Sequence, residues 1–495
     1  MQVRELAAQL APTKVEGPLD LEISGITYDS RRVTPGMVFV AMKGANVDGH
    51  DFIAPAVARG AAAVVCERNG FATTRTAKII VSDSRAALAC ASLAYFGRPS
   101  CRLKVAGVTG TNGKTTVTFM LKQMLEASGV RTGLLGTVGY EIGGRILPAP
   151  RTTPESLELQ DMMAQMLRAG CGACVMEVSS HALDQQRVAG AEFDVGIFTN
   201  LTRDHLDYHR TMEDYFAAKL RLFTGWPHGA KRGVCVTNVD DPFGARIARE
   251  TNAPATLGFG LSNRADIRAA NIRLGRADTA FELHANGAAH PVRMPLIGRH
   301  NVYNALAAVG GALALDVPTA AVLKALRSMR AAPGRLEPVE CAQPFAVFVD
   351  YAHTDDALRN VLTALRDVTT GRLLLAFGCG GNRDTGKRAR MGKVAAQLSD
   401  ACIITSDNPR NEPPAAIAVA IQEGWHAARA DGYHVELDRR RAIDQVLAMA
   451  RPGDTVLIAG KGHETYQEIQ GTVAPFDDRL HAREALETLG AKGTR

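Results

Sequence analysis

The sequence lacks any apolar run that approaches the roughly 20 residues needed to cross a lipid bilayer. Near the N-terminus, Arg4 and Glu5 stand where a secretory signal would need an apolar core. A disulfide framework is also missing, because the nine cysteines are an odd number and lie scattered along the chain. We therefore expect a cytoplasmic protein that is not inserted in a membrane.

Strong charge is absent too. The 495 residues carry a formal net charge of only +6, and the longest basic run, Arg439-Arg440-Arg441, is typical of a solvated surface. A surface for nucleic acid should be more basic and more clustered, so we expect no nucleic-acid partner. A mild positive excess does suit an anionic small-molecule substrate.

Cys171 and Cys174 have the spacing of a redox pair. They lie at the entry to an apolar segment, however, and no second pair accompanies them. We favour the interpretation that they are buried structural thiols.

The pattern of apolar and polar residues changes twice along the chain. At roughly 150 residues per domain, 495 residues suggest about three domains. We place a small α/β domain at 1–100, a central domain at 101–332 and a C-terminal domain at 333–495. In the last two, apolar strands alternate with helical stretches, which predicts parallel sheets covered on both faces. The piece from about 255 to 295 differs, because its polar alternation and glycine turns predict a small antiparallel patch.

Polar residues gather at strand ends in the C-terminal segment. Its apolar strands run into DYAHT, GCGGNRDTGKR, TSDNPR and AGKGHE. Ligand sites of doubly wound sheets lie outside the carboxyl ends of the strands. These polar and glycine-rich ends therefore predict a binding site in the C-terminal domain.

A phosphate-binding loop is predicted at TGTNGKTT, between an apolar strand and a helix. The common pattern begins with a glycine where this chain has Val108, so the loop departs from that pattern by its first glycine. Backbone N–H groups and the helix N-terminus would hold phosphate oxygens of ATP, Lys114 would reach the β- and γ-phosphates, and Thr115 would offer its hydroxyl to Mg²⁺. The predicted nucleotide ligands are Gly110, Thr111, Asn112, Gly113, Lys114, Thr115 and Thr116.

Acidic, histidine and lysine side chains follow the loop. Glu177 ends the apolar strand ACVME, and an acid placed there beside a phosphate loop is a second Mg²⁺ ligand. The segment DHLDYH, residues 204–209, crowds two aspartates and two histidines into six positions, which fits a metal site and a polar loop equally. Lys219 is spaced for a helix beginning near Met212, where a lone lysine is usually solvated.

Six ordered motifs carry a resemblance to a known family. They are GTNGKTT, EVSSHALDQQRV, TNLTRDHLDYH, GRHNVYNALAA, PGRLE and DYAHT. In this order they resemble the Mur ligases, the ATP-dependent ligases of peptidoglycan precursor synthesis, over essentially the whole chain. The resemblance implies a three-domain α/β fold with a small N-terminal uridine-nucleotide domain, a central P-loop ATPase domain and a C-terminal Rossmann-like domain. It also accounts for the shifted glycine, which is this family's form of the loop.

The resemblance extends to residues around ATP and Mg²⁺. Lys219 matches a lysine that the family carbamylates, which converts a cation into an oxygen ligand for a second Mg²⁺ beside His205. The implied catalytic residues are Lys114, Lys219 and His205, and the implied metal ligands are Thr115, Glu177, His205 and Lys219. Asn301 and Asn304 match adenosine-side residues, and Arg335 and Asp350 match residues that reach ATP from the third domain.

Within the family, the chain resembles the ligase that adds meso-diaminopimelate to UDP-N-acetylmuramoyl-L-alanyl-D-glutamate. The stretch YDSRRVTPGMVFVAMKG resembles the uridine-nucleotide domain of that enzyme, and RTTPE resembles the segment that holds the muramoyl dipeptide. The residues that match contacts to this substrate are Ser30, Ala45, Asn46, Thr152, Thr153, Ser179, Gln185 and Arg187.

The stretch TSDNPRNEPP matches the diaminopimelate signature. Diaminopimelate differs from lysine by a distal carboxylate, and Arg410 can pair with that carboxylate bidentately. On residue types alone, D-N-P-R also fits an ordinary Asx turn before a proline. The residues that match amino-acid contacts are Arg383, Asp407, Asn408, Pro409, Arg410, Gly460 and Glu464, the last two at the distal ammonium.

One departure and one further candidate lie at DYAHT. The family usually continues this motif with proline, whereas this chain continues with Asp355 and Asp356. His353 of the motif is a candidate for removing a proton from the attacking amine.

Three rival functions share parts of this pattern. A sibling ligase, such as a lysine-adding, alanyl-alanine-adding or folylpolyglutamate synthase-like enzyme, would share the loop, but DNPR and the uridine-type N-terminus favour diaminopimelate. A non-catalytic nucleotide-binding regulator would have no reason to keep Lys114, Thr115, Glu177 and Lys219. A P-loop kinase would not explain the third domain. We expect a monomeric enzyme.

Overall fold

The structure, a computed structural model, describes residues 1–44, 47–68, 75–226, 231 and 233–493. It divides into two compact units. The first contains Met1–Lys114, Leu121–Phe259 and Ala307–Val322, and the second contains Thr115–Met120, Gly260–Leu306 and the chain from Leu323 onward. In these ranges no helix is both long enough and apolar enough to cross a membrane. The boundaries that we placed near residues 100 and 332 stay predictions.

A five-stranded sheet organises the N-terminal segment. Its elements are α1 (Val3–Gln9), β1 (Lys14–Glu16), β2 (Gly25–Thr27), β3 (Met37–Val40), α2 (Ile53–Ala58), β4 (Ala63–Cys66), β5 (Ala77–Ile80) and α3 (Ser84–Tyr95). The strand order is β1-β5-β4-β3-β2, and β1 is antiparallel to β5 while the other neighbours are parallel. The apolar runs AVVC and AKII are fully buried strands, as the small α/β domain required.

A second, mainly parallel sheet follows. Its elements are β6 (Lys104–Thr109), α4 (Lys114–Ala127), β7 (Thr132–Leu135), β8 (Tyr140–Ile142), β9 (Arg145–Leu147), α5 (Ser156–Arg168), β10 (Ala173–Glu177), α6 (Ser180–Asp184), β11 (Val195–Phe198), α7 (Leu206–His209), α8 (Met212–Thr224), β12 (Val234–Asn238), α9 (Pro242–Glu250) and β13 (Ala255–Gly260). Strands β13-β12-β11-β6-β10-β7 are parallel neighbours, and β8 and β9 extend the sheet as antiparallel strands. The predicted strands around 104, 173, 195 and 234 are confirmed.

The predicted antiparallel patch is correct only in part. Three antiparallel strands, β14 (Ile267–Leu274), β15 (Thr279–Ala285) and β16 (Ala288–Met294), precede α10 (Arg299–Ala314) and α11 (Thr319–Arg327). However, β13 at the start of the predicted patch pairs parallel with β12. The first two residues of β13 are exposed and its last three are buried. Its sequence is therefore not a continuous apolar run.

The C-terminal segment is built on a six-stranded sheet. Its elements are β17 (Glu337–Pro338), β18 (Ala346–Asp350), α12 (Asp355–Arg366), β19 (Leu373–Phe377), α13 (Gly386–Leu398), β20 (Ala401–Ile404), α14 (Pro414–His426), β21 (Tyr433–Val435), α15 (Arg439–Ala448), β22 (Thr455–Ala459), β23 (Tyr466–Ile469), β24 (Thr472–Pro475) and α16 (Asp478–Gly493). The order is β17-β18-β22-β19-β20-β21, with all neighbours parallel except β17 and β18; β23 and β24 form a separate hairpin.

Strand β19 shows that helices cover both faces of this sheet. Leu373 and Leu375 pack in a core with side chains of α12, α13 and α14. Leu374 and Ala376, which point the opposite way, pack in a second core with α15 and α16. Residues of both faces are fully buried, which explains why this strand reads as a continuous apolar run. The doubly wound fold predicted for this segment is confirmed.

The two cysteines with redox spacing are structural. Cys171 and Cys174 are both free thiols and both buried. Burial raises the pKa of the Cys174 thiol to about 12, so its reactive thiolate is disfavoured. The interpretation from sequence is confirmed.

Candidate active site

The predicted phosphate loop joins β6 to α4 and depends on two glycines. Gly113 has φ +87° and is the N-cap of α4, so it offers no side chain to the first turn of that helix. Gly110 has φ +148°, and a Cβ atom there would lie 1.9 Å from Thr199 Oγ1. Only glycine fits at that position without displacing the neighbouring strand end. A tight loop that leads into an uncapped helix N-terminus fits a phosphate ligand.

Thr199 and Asn200, which follow β11, support the phosphate loop through hydrogen bonds. The Thr199 hydroxyl donates to Asn112 O at 2.6 Å, and Asn112 N donates to Asn200 Oδ1 at 3.0 Å. The Thr111 N–H donates to Asn200 O at 2.9 Å. Sequence reasoning gave these two residues no role. Their place at the end of a predicted strand adjacent to the loop strand was the available signal.

Lys114 folds over the loop that precedes it. Its Nζ donates to Gly110 O at 3.0 Å and to Thr111 O at 2.8 Å. Thr115 and Thr116, which follow it in α4, are buried. The predicted lysine therefore lies at the loop, where its charge would meet phosphate oxygens.

Lys219, on α8, is buried beside the same loop. Its side chain is among the largest that are fully buried, and its Nζ donates to Gly110 O at 2.8 Å and lies 4.6 Å from the centre of the Tyr215 ring. Burial, and then the charge of Lys114, lower the pKa of Lys219 well below its ordinary value, while Asp204 only partly opposes them. The neutral amine is therefore favoured. Such an amine is nucleophilic, which carbamylation by CO₂ requires.

Glu177 lies at the carboxyl end of β10, where Cα pairing places it opposite Val108 of the loop strand. The side chain is buried, and both of its carboxylate oxygens accept hydrogen bonds from Thr137, one from the backbone N–H at 2.8 Å and one from the hydroxyl at 3.1 Å. The predicted metal carboxylate is thus fixed in orientation next to the loop.

The segment 204–209 forms a polar and aromatic cluster. His205 has a left-handed backbone (φ +52°), and its ring lies 5.0 Å from that of His181. His209 is buried, with its Nε2 2.9 Å from Ser180 Oγ. Within the described ranges, no three His, Cys, Asp or Glu side chains are arranged to hold a metal ion. These residues therefore do not make a metal site by themselves, and a metal ligand at His205 needs partners of another kind.

Five predicted substrate residues come together beside Glu177. The Thr153 hydroxyl donates to Glu177 O at 2.9 Å and accepts from Ser179 N at 3.1 Å. Arg187 donates to Gln185 Oε1 at 3.1 Å and to Thr153 O at 3.3 Å. Thr152 joins the group through Thr137, with the two hydroxyl oxygens 3.1 Å apart.

A buried carboxylate surrounded by arginines borders this group. Glu155 lies 3.2 Å from Arg151 and 3.7 Å from Arg187, and Arg85 approaches it at 3.8 Å from α3 of the first sheet. Three guanidinium groups around one carboxylate leave a local positive charge, which suits an anionic substrate. The motif RTTPE contains Arg151 and Glu155, but sequence reasoning used only its threonines.

Of the three N-terminal residues predicted to contact the uridine nucleotide, the structure describes Ser30. Ser30 begins a short 3₁₀ turn, Ser30–Arg32, directly after β2, and the Asp29 carboxylate caps that turn through Arg31 N. The side chain is half-buried at the carboxyl end of a parallel strand. Ala45 and Asn46 lie outside the described residues.

The predicted adenosine residues lie on α10. Asn301 and Asn304 are buried and bonded to each other, with Asn304 Nδ2 donating to Asn301 Oδ1 at 3.1 Å. Asp350, at the end of β18, accepts from Leu336 N at 2.6 Å, and Arg335 partly offsets the burial that raises the pKa of this carboxyl. These contacts hold the PGRLE segment against the end of β18.

The DNPR loop follows β20 and is held by a second loop that follows β19. Gly381 N donates to Asn408 O at 2.9 Å, and Arg410 Nη1 donates back to Gly381 O at 2.7 Å. A Cβ atom at Gly381 would lie 1.9 Å from Pro409 O, so the two loops meet at a distance that only glycine permits. Arg410 has φ +52°, a left-handed conformation. The side chain of Arg383 reaches the same corner, since its Cγ lies 4.0 Å from where a Cβ of Gly380 would stand.

The AGKGHE loop after β22 completes the cluster. Glu464 accepts from Asn408 Nδ2 at 2.8 Å and from Lys461 Nζ at 3.0 Å. Burial raises the pKa of the Glu464 carboxyl, and Lys461 opposes this. Gly460 has φ +114°, and a Cβ there would lie 2.6 Å from Asp407 Oδ2. Lys461 is fully buried and also donates to Asn408 Oδ1, yet sequence reasoning gave it no role.

The expectation that the run Arg439-Arg440-Arg441 forms a solvated surface is wrong for its first residue. Arg440 and Arg441 are exposed, but Arg439 is fully buried in a bidentate pair with Asp478, both distances being 2.7 Å. The same guanidinium donates to Ser406 O at 3.1 Å and to Ala459 O at 3.0 Å. These carbonyls immediately precede the DNPR and GKGHE loops. Arg439 therefore joins the two loops from beneath, and its partner 39 residues later could not be read from the run itself.

The DYAHT segment leads into α12. Thr354 caps this helix through Ala357 N, and Asp355 and Asp356 lie in its first turn, where acidic residues favour the helix dipole. This explains why acidic residues are accepted where the family has proline. His353 is exposed, with its Nδ1 2.9 Å from Tyr351 O.

Comparison with known families gives three matches in chain order. The Mur ligase family catalytic domain matches residues 22–96, the Mur ligase middle domain matches 108–312, and the Mur ligase glutamate ligase domain matches 334–462. Together they cover most of the chain.

Individual relatives agree with these matches. The chain is 45% identical to the UDP-N-acetylmuramoyl-L-alanyl-D-glutamate–2,6-diaminopimelate ligase of Solibacter usitatus, over 99% of this chain and 97% of that protein. It is 43% identical to the ligase of the same name from Syntrophomonas wolfei, over 98% and 99%. A solved structure of a protein with that name superimposes with a TM-score of 0.73 at 32% identity, over 99% of both chains.

Proposed function

Because this chain belongs to the Mur ligase family, we propose that it is the ATP-dependent ligase that adds meso-diaminopimelate to UDP-N-acetylmuramoyl-L-alanyl-D-glutamate in peptidoglycan precursor synthesis. Relatives 43–45% identical over nearly the whole chain carry the name of that enzyme. The family, the amide-ligase activity and the three-domain α/β fold that the six sequence motifs implied are confirmed. We place the reaction in the cytoplasm.

One structural observation carries the choice of amino acid. Asn408, Arg410 and Glu464, from two strand-end loops, lie around one corner of the C-terminal sheet. This arrangement offers a cation for the distal carboxylate of diaminopimelate and an anion for its distal ammonium. Lysine has the ammonium but lacks the carboxylate, so it would leave Arg410 without a ligand partner. The same corner disfavours the lysine-adding, alanyl-alanine-adding and folylpolyglutamate synthase-like alternatives.

ATP binds at the loop 110–116. The uncapped start of α4 and the loop N–H groups hold phosphate oxygens, and Lys114 moves its ammonium from loop carbonyls to the β- and γ-phosphates. Asn301 and Asn304 contact the adenosine side, and Arg335 and Asp350 reach ATP from the C-terminal domain. Intact loop residues also argue against a non-catalytic regulator.

The residues near the loop fit Mg²⁺. Glu177 is a buried carboxylate held in one orientation, and Lys219 is a buried amine in which burial favours the neutral form that CO₂ carbamylates. Thr115, Glu177, His205 and carbamylated Lys219 would hold the ions, and bound Mg²⁺ supplies positive charge that offsets the charge of the phosphates. The carbamate explains how a site without a three-residue acidic or histidine cluster can bind a cation.

The acceptor substrate binds beside Glu177. Ser30, Ala45 and Asn46 contact the uridine nucleotide, and Thr152, Thr153, Ser179 and Gln185 hold the muramoyl dipeptide. Arg187 neutralises the D-glutamate end, with the arginine-rich surroundings of Glu155 adding to the positive charge. This positions the γ-carboxylate of D-glutamate for in-line attack.

The reaction then proceeds in two steps. A carboxylate oxygen attacks the γ-phosphorus, the bond to the β–γ bridging oxygen breaks, and ADP leaves. The amine of diaminopimelate attacks the carbonyl carbon of the acyl phosphate, gives up a proton for which His353 is our candidate acceptor, and expels phosphate. Positioning and charge neutralisation by Lys114 supply most of the rate. Amide, ADP and phosphate are released, and we expect a monomer to do this.

An isotope experiment tests this order of steps. In an acyl-phosphate mechanism, the oxygen lost from the γ-carboxylate leaves with phosphate. With both γ-carboxylate oxygens of the dipeptide labelled with ¹⁸O, we expect each released phosphate to carry one ¹⁸O atom, measured by mass spectrometry. A reaction in the absence of diaminopimelate is the control for hydrolysis. Unlabelled phosphate formed together with amide product would contradict the proposed mechanism.

A further inference from the structure

The β23–β24 hairpin is hydrogen-bonded to three residues of the DNPR loop, Asp407, Asn408 and Arg410. Arg410 N donates to Glu468 O at 3.0 Å, and Gln470 N donates to Arg410 O at 2.6 Å. On the same side, Glu468 N donates to Asn408 Oδ1 at 3.0 Å, and Gln467 Nε2 donates to Asp407 O at 2.8 Å. The hairpin therefore forms one wall of the amino-acid corner, although neither the sequence motifs nor the proposed mechanism gave it a role.

The carboxylate of Glu468, on this wall, faces the guanidinium group of Arg410. Glu468 Oε2 lies 3.4 Å from Arg410 Nε. The two side chains are 30% and 22% exposed, so the pair is only partly screened by water. The hydrogen bonds that hold the hairpin to the loop use the backbone of Glu468 and groups of Gln467 and Gln470, and none of them uses the Glu468 carboxylate. Its carboxylate can therefore be changed while the wall is kept.

The Arg410 guanidinium is approached on both edges by groups of the protein. A carboxylate grips a guanidinium through the Nε edge or through the edge formed by its two terminal nitrogens. Glu468 lies at Nε, and Gly381 O accepts from Nη1 at 2.7 Å. A ligand carboxylate must therefore share Arg410 with Glu468 or displace it.

We propose that Glu468 is a specificity-determining residue that weakens the selection of diaminopimelate over lysine, because its carboxylate takes the place of the distal ligand carboxylate on Arg410. The inference rests on the proposed function. With diaminopimelate bound, Glu468 lies near a second carboxylate and repels it. With lysine bound, Glu468 keeps Arg410 paired and so removes much of the penalty that an unpaired arginine would impose.

Removing the charge of Glu468 should strengthen the selection of diaminopimelate over lysine, whereas loss of a residue that only supports the site would weaken it. Glu468→Gln keeps size and backbone bonds and removes the charge. We expect the ratio of kcat/KM for diaminopimelate to that for lysine to rise about fivefold, as for a partly exposed ion pair. The change should lie in the KM of the two amino acids, with kcat for diaminopimelate and the KM for ATP unchanged.

A matched control is available in the same unit. Glu484→Gln also removes one carboxylate that pairs with an arginine, Arg440 at 2.9 Å, on the exposed surface. It should leave the selection ratio unchanged. Phosphate release by each variant is measured over a range of diaminopimelate and of lysine, and thermal unfolding confirms that each variant folds.

The outcomes distinguish failure of the role assigned to Glu468 from failure of the role assigned to Arg410. If Arg410→Ala lowers the ratio while Glu468→Gln raises it, both stand. If Arg410→Ala lowers the ratio but Glu468→Gln leaves it unchanged or lowers it, the role of Glu468 is wrong and that of Arg410 stands. If Arg410→Ala has no effect on the ratio, the assignment of the distal carboxylate fails, and the inference about Glu468 fails with it.

Discussion

Replacing Lys219 by alanine should reduce the rate of phosphate release on the order of 10³-fold, the loss expected when a group that holds catalytic charge is removed. The Nζ is buried against Gly110 of the phosphate loop, where an ordinary ammonium would be unfavourable. In the proposed site this nitrogen carries a carbamate that binds Mg²⁺, and alanine removes both. Steady-state phosphate release with all substrates present measures the effect.

The carbamate itself can be observed. Because burial favours the neutral amine, we expect ¹³C-labelled bicarbonate to give a carbamate signal in the parent protein that is absent from Lys219→Ala. Lys324→Ala, which removes an exposed lysine of α11, should keep full activity. A Lys219→Ala variant that retains its fold and at least a third of the parent rate would show that this lysine is not part of the metal site.

Replacing Arg410 by alanine should reduce the preference for diaminopimelate over lysine about 100-fold. A site built to pair with a charged group disfavours a ligand that lacks that group, because the interaction that the correct ligand makes with the site is then lost. Removing Arg410 weakens the binding of diaminopimelate and also removes the group that disfavours lysine. The ratio of the two kcat/KM values, from phosphate release, measures the change.

The backbone at this position requires a second variant. Arg410 has φ +52°, which asparagine adopts more readily than alanine. Arg410→Asn should therefore relax the selection to a similar extent with less strain, and Arg441→Ala, at an exposed arginine, should leave it unchanged. If both Arg410 variants exclude lysine as strictly as the parent does, the role assigned to this arginine is wrong.

The positions of the site loops were predictable for a physical reason. Apolar runs such as LLLAF and TVLIA are buried parallel strands, and the carboxyl ends of parallel strands meet at one edge of a sheet. The polar segments that follow them therefore had to converge. The phosphate loop was predictable in the same way, since its glycines and Lys114 stand between a strand and a helix.

What the sequence did not reveal depends on contacts between distant residues. Arg439 looks like its exposed neighbours until Asp478, 39 positions later, is placed beside it. Lys461 lies within AGKGHE and Glu468 shortly after it, but only the fold brings them to Asn408 and Arg410. The parallel pairing of β13 was missed because the first two residues of that strand are exposed and the strand lacks an apolar pattern.

The central claim is tested most directly by phosphate release from ATP and Mg²⁺ in the presence of UDP-N-acetylmuramoyl-L-alanyl-D-glutamate. The reaction is compared with meso-diaminopimelate, with L-lysine and without an amino acid. We predict sustained release with diaminopimelate and only background release in the other two reactions. Sustained release with lysine and not with diaminopimelate would contradict the assignment of the amino-acid site, and no release in any reaction would contradict the proposed function.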